Sequence, residues 1–519
     1  MIEFSAAEIA AITGGYLSRS AQADPSRTVT SAATDSRECT AGSLFIAKPG
    51  ESSDGHRFVP QAVERGAVLA LAERPVSATG DGADFPSVIV PDAVLAMGAL
   101  AAEAVRRIRA FSPLTVIGIT GSAGKTTTKD LLAGMLGTEA PTIAPGGSFN
   151  GEVGVPLTVF KAALDTRYLI IEMGATKPGH IRYLAEMVQP DIGVVLGVGS
   201  AHAGEFGGVE NIAAAKGELF EALPSGATAV FNADDERVSA MRTRTAADKL
   251  YFTSSTDFTT DDGTVLSARD STTTAEGHPD FTLVLPDGET HRVTSPLLGL
   301  HQVTNLLAAA AVGWAVGVPG ERIAAALRTQ QATSRWRMER TERDDGVTII
   351  NDAYNANPES MRAALRTLAE LGAGRRRTWA VLGEMLELGE RSIEEHDLLG
   401  RVVVRLNISK LVVVGDNARA LFNGAVLEGS WGEEAVHVSD AAAAGEILRA
   451  GVAPGDIVLF KSSNGAGLRF LGDSFTASGG VSVGSDTSGS DTVGGVSVGS
   501  DTSGSDTSGR VRPESGTRP

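Results

Sequence analysis

The chain alternates between short apolar runs and longer amphipathic stretches over most of its length. Between residues 113 and 235 the strand-like runs "TVIGIT", "RYLIIEMG", "DIGVVLGVG" and "ATAVFNADD" are separated by helix-like segments. This alternation predicts a parallel sheet covered by helices. A block with the same pattern begins near residue 335 and contains "GVTIINDAYNANP", "RTWAVLGEM", "KLVVVGDNA" and "DIVLFKSSN". We therefore expect an α/β protein.

Three segments depart from this pattern. The first 110 residues mix short strands with turns, which indicates a small α/β unit. Residues 255–296 are rich in threonine and predict an antiparallel excursion around the turn "PDGE". Near the end, Val481–Thr492 recurs unchanged at Val496–Thr507; this Gly, Ser, Asp and Thr tail is too polar to form a core, and we expect it to be disordered. The predicted domains are 1–112, 113–330, 331–475 and the tail 476–519.

Composition narrows the class of protein. The 519 residues carry a formal net charge of −18, which argues against a nucleic-acid-binding protein. Cys39 is the only cysteine of the sequence, so a disulfide framework is excluded and a reducing compartment fits. The N-terminus "MIEFSAAEIAAITGG" has no basic stretch followed by an apolar core, so we expect no secretion signal. The apolar run from Leu306 to Val318 is too short to span a bilayer and predicts a buried helix. We expect a cytoplasmic protein without membrane insertion.

The stretch "VIGITGSAGKTTTKDLLAGML" (Val116–Leu136) predicts a strand, a glycine-rich turn and a helix. It departs from the strict phosphate-loop pattern by one position, because Ile119 stands where the first glycine belongs. The chemistry is retained: backbone N–H groups from Gly121 to Lys125 can surround a phosphate at the helix N-terminus. Lys125 can reach a terminal phosphate, and the Thr126 hydroxyl can ligate Mg²⁺. The alternative is a turn with a solvent-facing lysine.

Polar residues follow three of the predicted strands, where ligands bind in parallel sheets. Glu172 follows "YLIIE", His202 follows "GVVLGVGSAH" and Asp352 follows "VTIIND". Each has a structural alternative as a helix cap or a hydrogen-bonded loop residue. Next to a phosphate loop, Glu172 and His202 are candidate Mg²⁺ ligands, since ATP chemistry needs a metal on its phosphates. Lys216, in "AAAKGELF", would repel Lys125 and the metal, and from the residues alone a surface salt bridge with Glu218 or Glu221 is favoured.

From about residue 30 to residue 470 the chain resembles the Mur ligases, ATP-dependent enzymes that add amino acids to the peptide of the bacterial cell-wall precursor. The segment "NDAYNANPESMRAAL" (Asn351–Leu365) is similar to that of the members that add D-alanyl-D-alanine. Members that add the third residue typically have a "DYAHTPDGLE"-like segment there and a later "DNPR" motif. Here "GDNAR" (Gly415–Arg419) has Ala418 in place of the proline.

The resemblance implies three domains: a small N-terminal α/β domain for the UDP-sugar, a central P-loop parallel-sheet domain for ATP, and a C-terminal Rossmann-like domain. It implies ATP and Mg²⁺ as cofactors. The implied substrates are UDP-N-acetylmuramoyl-tripeptide and D-alanyl-D-alanine, joined through an acyl phosphate. We expect a monomer with no nucleic-acid partner. Closure of the C-terminal domain would bring the segment from Asp352 to Asn357 onto ATP.

The resemblance also implies roles for individual residues. "TDSRECTAGSLFIAKPGESSDGHRF" would hold the uridine end of the substrate, and "GSFNGEVGVPLTV" matches an Asn-Asn segment in which Gly151 replaces the second asparagine. "GLHQVTNLLAAAAV" is similar to the adenine-side helix, and the arginine of "TSRWRMER" at position 335 would reach ATP phosphate. The implied substrate residues are Asp35, Ser36, Arg37 and Asn150. The implied ATP-binding residues are Gly121, Ser122, Ala123, Gly124, Lys125, Thr126, Thr127, His301, Asn305, Arg335, Asp352 (at the ribose) and Asn355.

In the family the lysine of "KGE" is typically carbamylated, and this implies that Lys216 becomes an anionic metal ligand beside His202. The implied metal set is then Thr126, Glu172, His202 and Lys216, and the implied catalytic set is Lys125, Glu172, His202 and Lys216. One departure is "KSSN", where Asn464 replaces the arginine of the family's "KGSR" or "KASR" segment. His396 also matches a family position, with a helix-surface histidine as the alternative.

Three other classes of function remain open from the sequence. A third-residue Mur ligase or a folate polyglutamate ligase would share the fold, but the segment at residues 351–365 argues against both. A nucleotide-dependent switch would turn over ATP without amino-acid substrates. A degenerate scaffold is supported only by Asn464, Gly151 and the tail, and the intact phosphate loop argues against it.

Overall fold

The computed structural model describes residues 1–50, 53–79, 82, 84–200, 203–429 and 432–476. The residues up to 476 belong to one compact unit, Met1–Ser478. The repeat tail lies outside the described residues except for Thr476, which ends the last helix. The predicted disorder of the tail therefore stays a prediction.

The N-terminal region (residues 1–112) contains a five-stranded sheet in the order β2-β7-β6-β5-β4, and β1 and β3 form a separate antiparallel pair. Helix α1 begins with a capping box, in which Ser5 and Glu8 exchange side-chain and backbone hydrogen bonds. The strands are β1 (Phe4–Ser5), β2 (Tyr16–Leu17), β3 (Thr28–Val29), β4 (Ser31–Ala33), β5 (Ser43–Ala47), β6 (Ala67–Ala72) and β7 (Ser87–Ile89), and the helices are α1 (Ala6–Thr13), α2 (Arg19–Gln22), α3 (Val59–Glu64) and α4 (Ala93–Phe111).

The central region (residues 113–330) is built on a nine-stranded sheet in the order β16-β15-β14-β13-β12-β11-β8-β10-β9. Strands β8 to β14 pair in parallel, as the alternation predicts. The strands are β8 (Thr115–Thr120), β9 (Thr142–Ile143), β10 (Tyr168–Glu172), β11 (Ile192–Val195), β12 (Thr228–Asn232), β13 (Asp248–Thr253), β14 (Thr264–Thr273), β15 (Pro279–Val284) and β16 (Thr290–Thr294). The helices are α5 (Lys125–Gly137), α6 (Gly154–Val159), α7 (His180–Val188), α8 (Ala203–Phe206), α9 (Val209–Glu221), α10 (Glu236–Ala240), α11 (Gln302–Ala315) and α12 (Gly320–Thr329).

The antiparallel excursion predicted for residues 255–296 is present as β14, β15 and β16. It does not stand apart from the main sheet, because β14 pairs in parallel with β13 and extends it. The apolar run from Leu306 lies in α11, and every residue from Asn305 to Gly313 is buried, which confirms the predicted buried helix.

The C-terminal region (residues 331–476) has a six-stranded sheet in the order β17-β18-β22-β19-β20-β21, parallel except for β17. Helix α13 starts with Asn357 as N-cap and Pro358 in its first turn, both favourable helix starts. The strands are β17 (Glu339–Glu342), β18 (Thr348–Asn351), β19 (Thr378–Leu382), β20 (Lys410–Val414), β21 (Ala435–Val438) and β22 (Ile457–Lys461), and the helices are α13 (Pro358–Gly372), α14 (Ser392–Arg405), α15 (Arg419–Glu428), α16 (Ala441–Gly451) and α17 (Leu468–Thr476).

The hydrophobic core is continuous between the first two regions. One cluster of buried side chains runs from Phe4 and Leu44 through α4 to Leu169 and Phe231 of the central sheet. The opposite face of that sheet packs against α5 and α11. Among the described residues, no helix is long and apolar enough to cross a membrane.

Candidate active site

The phosphate loop joins the end of β8 to the start of α5. Gly124 is the residue before the helix and has a left-handed backbone, with φ of 85°. A Cβ at this position would lie 2.1 Å from Oδ1 of Asn305, so both the backbone and the space require glycine. Lys125 folds back over the loop, and its Nζ donates to the carbonyl of Gly121 at 2.8 Å. The first N–H groups of α5 form the kind of helix N-terminus at which phosphates bind.

The remaining predicted loop residues have different surroundings. Ser122 is buried, and its Oγ accepts the N–H of Gly199 at 2.9 Å, which ties the loop to the end of β11. Ala123 is exposed at the tip of the loop. Thr127 is buried in the first turn of α5. Ala123 is therefore the exposed residue of the loop, and Gly124 and Lys125 are half-buried.

Glu172 lies beside this loop and ends β10 with a relative exposure of 1%. Its Oε2 accepts from Thr126 Oγ1 at 3.1 Å and its Oε1 from Asn150 Nδ2 at 3.0 Å. Ser148, which the sequence did not single out, lies 2.7 Å from Thr126 and 3.3 Å from Glu172 through its Oγ. These hydroxyl and carboxylate oxygens are the donors that Mg²⁺ prefers. Another predicted metal ligand, His202, lies outside the described residues.

Among the described residues, no cluster of three His, Cys, Asp or Glu side chains could hold a metal ion. A cation beside Thr126 and Glu172 would therefore need oxygen atoms from the nucleotide as well. This is how Mg²⁺ is commonly bound in ATP sites, through one or two carboxylates and the phosphates.

Lys216 lies in α9 with a relative exposure of 5%. Desolvation and the nearby charge of Lys125 lower its pKa to about 7. The salt bridge that the residues alone favour is wrong: Glu218 instead accepts the backbone N–H of Gly179 at 2.7 Å, at the start of α7, and Glu221 pairs with two arginines. Lys216 is a buried lysine near the phosphate loop and not a surface residue.

Asn305 contacts the phosphate loop from the first turns of α11. Its Oδ1 accepts from Thr128 Oγ1 at 3.4 Å, and its Nδ2 donates to Oε1 of Gln302 at 2.7 Å. His301 precedes the helix, and its Nε2 lies 3.2 Å from Nε2 of Gln302. Desolvation lowers the pKa of His301 to about 4. The charge of Asp352 raises this pKa and that of Lys461 lowers it. His301 is exposed to solvent, so its ring is accessible to a ligand.

Asp352 follows β18 and forms a buried ion pair with Lys461, which ends β22. The Lys461 ammonium lies 2.5 Å from Asp352 Oδ2 and donates to the carbonyl of Asn355 at 3.0 Å. Asp352 Oδ1 accepts the N–H of Met338 at 3.0 Å. Burial lowers the pKa of Lys461, and the carboxylate of Asp352 opposes that effect. The pair fixes the segment that carries Asp352 and Asn355.

The resemblance implies Arg335 at the ATP phosphate, but in the structure Arg337, two residues later, contacts the phosphate-loop region. Arg335 turns away and pairs with Asp473 of α17, with Nη2 to Oδ1 at 2.9 Å. Arg337 instead reaches the loop: its Nη2 donates to Ser148 Oγ at 3.2 Å and to Thr126 Oγ1 at 3.4 Å. The two arginine side chains point in different directions because the backbone of Trp336, which lies between them, has a left-handed conformation.

The C-terminal region meets the central region at two further points, the phosphate loop and the segment after β11. Asn357 Nδ2 donates to the carbonyl of Ser122 at 3.3 Å, and the N–H of Ser200 donates to Glu359 Oε1 at 2.9 Å. Burial lowers the pKa of Lys125, and Glu387 is one of the carboxylates that counter this effect. The segment expected to close over ATP is thus in contact with the loop.

His396 is not a surface residue. It has a relative exposure of 1%; its Nδ1 donates to the carbonyl of Ser392 at 2.7 Å and its Nε2 accepts the N–H of Met385 at 2.9 Å. It holds the loop after β19. The helix-surface alternative for His396 is therefore wrong.

The three residues expected to contact the uridine lie in one turn of the N-terminal region. Asp35 and Arg37 form an ion pair with Nη2 to Oδ2 at 2.6 Å. Ser36 is buried and donates to Oε1 of Gln61 at 2.7 Å. Asp35 and Arg37 are the members of this group with exposed atoms for a ligand.

Comparison with known proteins identifies the family. A relative, the UDP-N-acetylmuramoyl-tripeptide--D-alanyl-D-alanine ligase of Mycobacterium bovis (strain ATCC BAA-935 / AF2122/97), is 44% identical over 94% of this chain and 99% of that protein. The chain belongs to the Mur ligase family. The Escherichia coli (strain K12) protein of the same name is 33% identical over 76% of this Mur ligase and 83% of its own length. Family models match in succession: "Mur ligase family, catalytic domain" at residues 28–119, "Mur ligase middle domain" at 119–313 and "Mur ligase, glutamate ligase domain" at 336–464.

Solved structures agree with this assignment. Crystal structure I of MurF from Acinetobacter baumannii matches this Mur ligase with a TM-score of 0.79 and 30% identity, over 91% of this chain and 99% of that chain. The MurF ligase from Thermotoga maritima in complex with ADP matches with a TM-score of 0.72 and 28% identity, over 86% and 97% of the two chains. The three-domain α/β architecture expected from the sequence is confirmed.

Proposed function

We propose that this Mur ligase joins D-alanyl-D-alanine to UDP-N-acetylmuramoyl-tripeptide, using ATP and releasing ADP and phosphate, in the synthesis of the peptidoglycan precursor. The observation that carries the proposal is the assembly at one place of Lys125, Thr126, Glu172 and Arg337. Identity of 44% to a ligase of this name, over 94% of the chain, supports the choice of substrates.

The reaction needs ATP because a carboxylate is a poor electrophile and peptide-bond formation in water is uphill. The terminal carboxylate of the tripeptide attacks the γ-phosphorus of ATP, ADP leaves, and an acyl phosphate forms. The amine of D-alanyl-D-alanine then attacks the acyl carbon, the C–O bond to phosphate breaks, and the amine loses a proton. Lys125 and Arg337 lie where their charges would stabilise the phosphoryl group in transfer.

The donor set at the loop fits Mg²⁺. Thr126 and Glu172 would hold it together with nucleotide oxygens, and bound there it would neutralise charge on the phosphates. His202 and Lys216 complete the proposed set. The Lys216 amine, with a pKa of about 7, has a large neutral fraction at neutral pH, and the neutral amine is the form that adds to CO₂. The resulting carbamate would replace an unfavourable buried cation by an anionic oxygen donor.

We assign the substrates to the three regions as follows. The UDP-sugar binds residues 1–112, where Asp35, Ser36 and Arg37 face the uridine, and Asn150 faces the reacting end. The nucleotide binds residues 113–330 with its adenine at His301 and Asn305. Asp352 and Asn355, from residues 331–475, complete the site at the ribose. The protein acts as a monomer in the cytoplasm, where ATP and UDP-linked precursors are available.

The incoming dipeptide has a candidate place in the C-terminal region. A cavity of 590 Å³ lies at the carboxyl ends of β19 and β20 and is lined by residues 384–389, Asn417 and Arg419, among others. D-alanyl-D-alanine is a zwitterion, so its ammonium group would face Glu384 and Glu387 and its carboxylate Arg419. We expect Arg419→Ala to raise the KM for D-alanyl-D-alanine about tenfold or more, with the KM for ATP unchanged. Arg449→Ala, at an exposed position of α16, is the control.

The experiment that tests the whole proposal omits one substrate at a time. Purified protein, Mg-ATP, the UDP-tripeptide and D-alanyl-D-alanine are mixed, and the UDP-pentapeptide is measured by mass. We expect product only when every component is present. Product with a free diamino acid and the UDP-dipeptide would indicate the third-residue ligase instead. Phosphate release without any coupled product would indicate a nucleotide-dependent switch.

A further inference from the structure

Two strained residues flank Arg337 at the start of the C-terminal region. Trp336 and Met338 both have left-handed backbones, with φ of 59° and 52°. Side chains with a Cβ rarely adopt this conformation, and bulky ones persist in it only where their surroundings hold them. The two strained residues lie on either side of Arg337, whose guanidinium contacts Thr126 and Ser148.

Trp336 is held mainly by α17. Its indole Nε1–H donates to both carboxylate oxygens of Asp473 at 3.1 Å, and its backbone N–H donates to Glu339 Oε2 at 2.9 Å. The indole stacks on the ring of Tyr354, with centroids 6.2 Å apart and planes at 11°. The edge of Phe470 packs at the same centroid distance. The strained backbone of Trp336 and its fixed side chain therefore form one rigid unit with Tyr354, Phe470 and Asp473.

The same unit continues to Arg337. The guanidinium carbon of Arg337 lies 4.6 Å from the ring centroid of Tyr354, so one tyrosine contacts both the indole and the arginine. Met338 is fixed by its N–H to Asp352 Oδ1. A cation over an aromatic face is restricted in orientation as well as stabilised. The side chain of Arg337 is therefore held in one orientation, in which its guanidinium points toward the phosphate loop.

Asp473 is the anion at the centre of the unit. Besides the indole N–H it accepts from Arg335 Nη2 at 2.9 Å and from Asn351 Nδ2 at 3.1 Å. Arg335 and Arg469 each place a guanidinium over the Trp336 ring, at 4.9 and 5.1 Å. A carboxylate that accepts from three side chains, one of them an arginine, is well satisfied and holds its partners in place.

We propose that Asp473 and Trp336 are positioning residues of the ATP site that act through Arg337. Their hydrogen bond holds the strained segment so that the Arg337 guanidinium stays beside Thr126 and Ser148. The inference rests on the proposed role of Arg337 at the ATP phosphates. Neither Asp473 nor Trp336 touches the loop itself, and so neither is a catalytic residue.

The test is a double-mutant cycle in the full-length enzyme. Trp336→Phe keeps a ring for stacking and removes the Nε1–H, and Asp473→Ala removes the acceptor. Each is measured alone and together with Arg337→Ala, by kcat, KM for ATP and Tm. Ser474→Ala is the control, because this neighbour of Asp473 is exposed and bonds only within α17.

We expect Trp336→Phe to lower kcat/KM for ATP about tenfold in the wild-type background and less than about twofold when Arg337 is already alanine. Its effect on Tm should be the same in both backgrounds. Equal losses of kcat/KM in both backgrounds would mean that Trp336 serves folding only, and the inference would be wrong. No loss from Trp336→Phe, with Arg337→Ala impaired, would also overturn it. Normal ATP use by Arg337→Ala would overturn the role of Arg337 and the inference with it.

Discussion

At the scale of single residues, Lys216 has a proposed function that opposes the stability of the fold. A lysine buried beside Lys125 opposes folding through desolvation and like-charge repulsion, as its lowered pKa shows. We expect Lys216→Met to abolish ligase activity, by at least about a hundredfold, and to leave the Tm equal or higher. Product formation and thermal unfolding measure the two effects. A large fall in Tm together with activity would show that Lys216 is a structural residue.

The same lysine predicts a pH dependence of stability. Its pKa is about 7 in the folded protein and 10.5 in the reference state. Between these values the unfolded chain binds a proton that the folded chain does not, so stability rises with pH by up to about 1.4 kcal/mol per pH unit from this group. In CO₂-free buffer without metal, we expect the Tm of the wild type to rise relative to that of Lys216→Met as the pH increases from 7 to 9.5. A constant difference in Tm would contradict the lowered pKa.

Sequence reasoning found the residues whose place follows from strand ends and failed where the backbone is irregular. Glu172 lies beside Thr126 because carboxyl ends of neighbouring parallel strands meet at one edge. The resemblance implies Arg335, and nothing in the letters "SRWRMER" reveals the two left-handed residues that direct Arg337 to the loop instead. The partner of Asp352, Lys461, is 109 positions away and becomes visible only when β18 and β22 pair.

At the scale of elements, the phosphate loop depends on one conformation at the start of α5. Gly124→Ala would place a Cβ in a left-handed residue and against Asn305. We expect this variant to lower ATP turnover by about a hundredfold or more and to destabilise the protein by about 1–3 kcal/mol. Gly137→Ala, at the exposed end of the same helix with open space around its Cβ, is the matched control and should be neutral. Equal behaviour of the two variants in ATP turnover and denaturant unfolding would disprove the requirement for glycine.

Long helices and strands with a clear hydrophobic period were predictable from the sequence, and short strands at the sheet edges were not. The central strands of both large sheets appear as apolar runs because they are covered on both faces. Strand β9 has two residues and β21 has four, all half-buried, which is too little for a periodic signal. Strand β14 shows the other limit: its polar pattern indicated the antiparallel partner, but the parallel pairing with β13 depends on tertiary structure alone.

At the scale of the whole molecule, the C-terminal region contacts the phosphate loop and the segment after β11 through side chains at the start of α13. Asn357 and Glu359 reach Ser122 and Ser200, and the N–H of Gly204 donates to the carbonyl of Glu387 at 3.3 Å. In the proposed function the acyl phosphate would form at the phosphate loop, which Asn357 contacts directly. An acyl phosphate is hydrolysed by water, so an enzyme that forms one gains from keeping these regions together during the reaction.

This arrangement predicts that loosening the contact uncouples ATP use from ligation. Glu359→Ala removes the acceptor of the Ser200 N–H without touching the loop that binds phosphate. A hydrogen bond to a charged group is worth about 1.5–3 kcal/mol, so we expect kcat to fall about tenfold or more with little change in the KM for ATP. The ratio of phosphate released to UDP-pentapeptide formed should rise above one, because water reaches the intermediate. Glu370→Ala, exposed on the same helix, should keep the ratio at one. If Glu359→Ala slows the reaction but keeps that ratio, the contact serves to position substrates and does not exclude water.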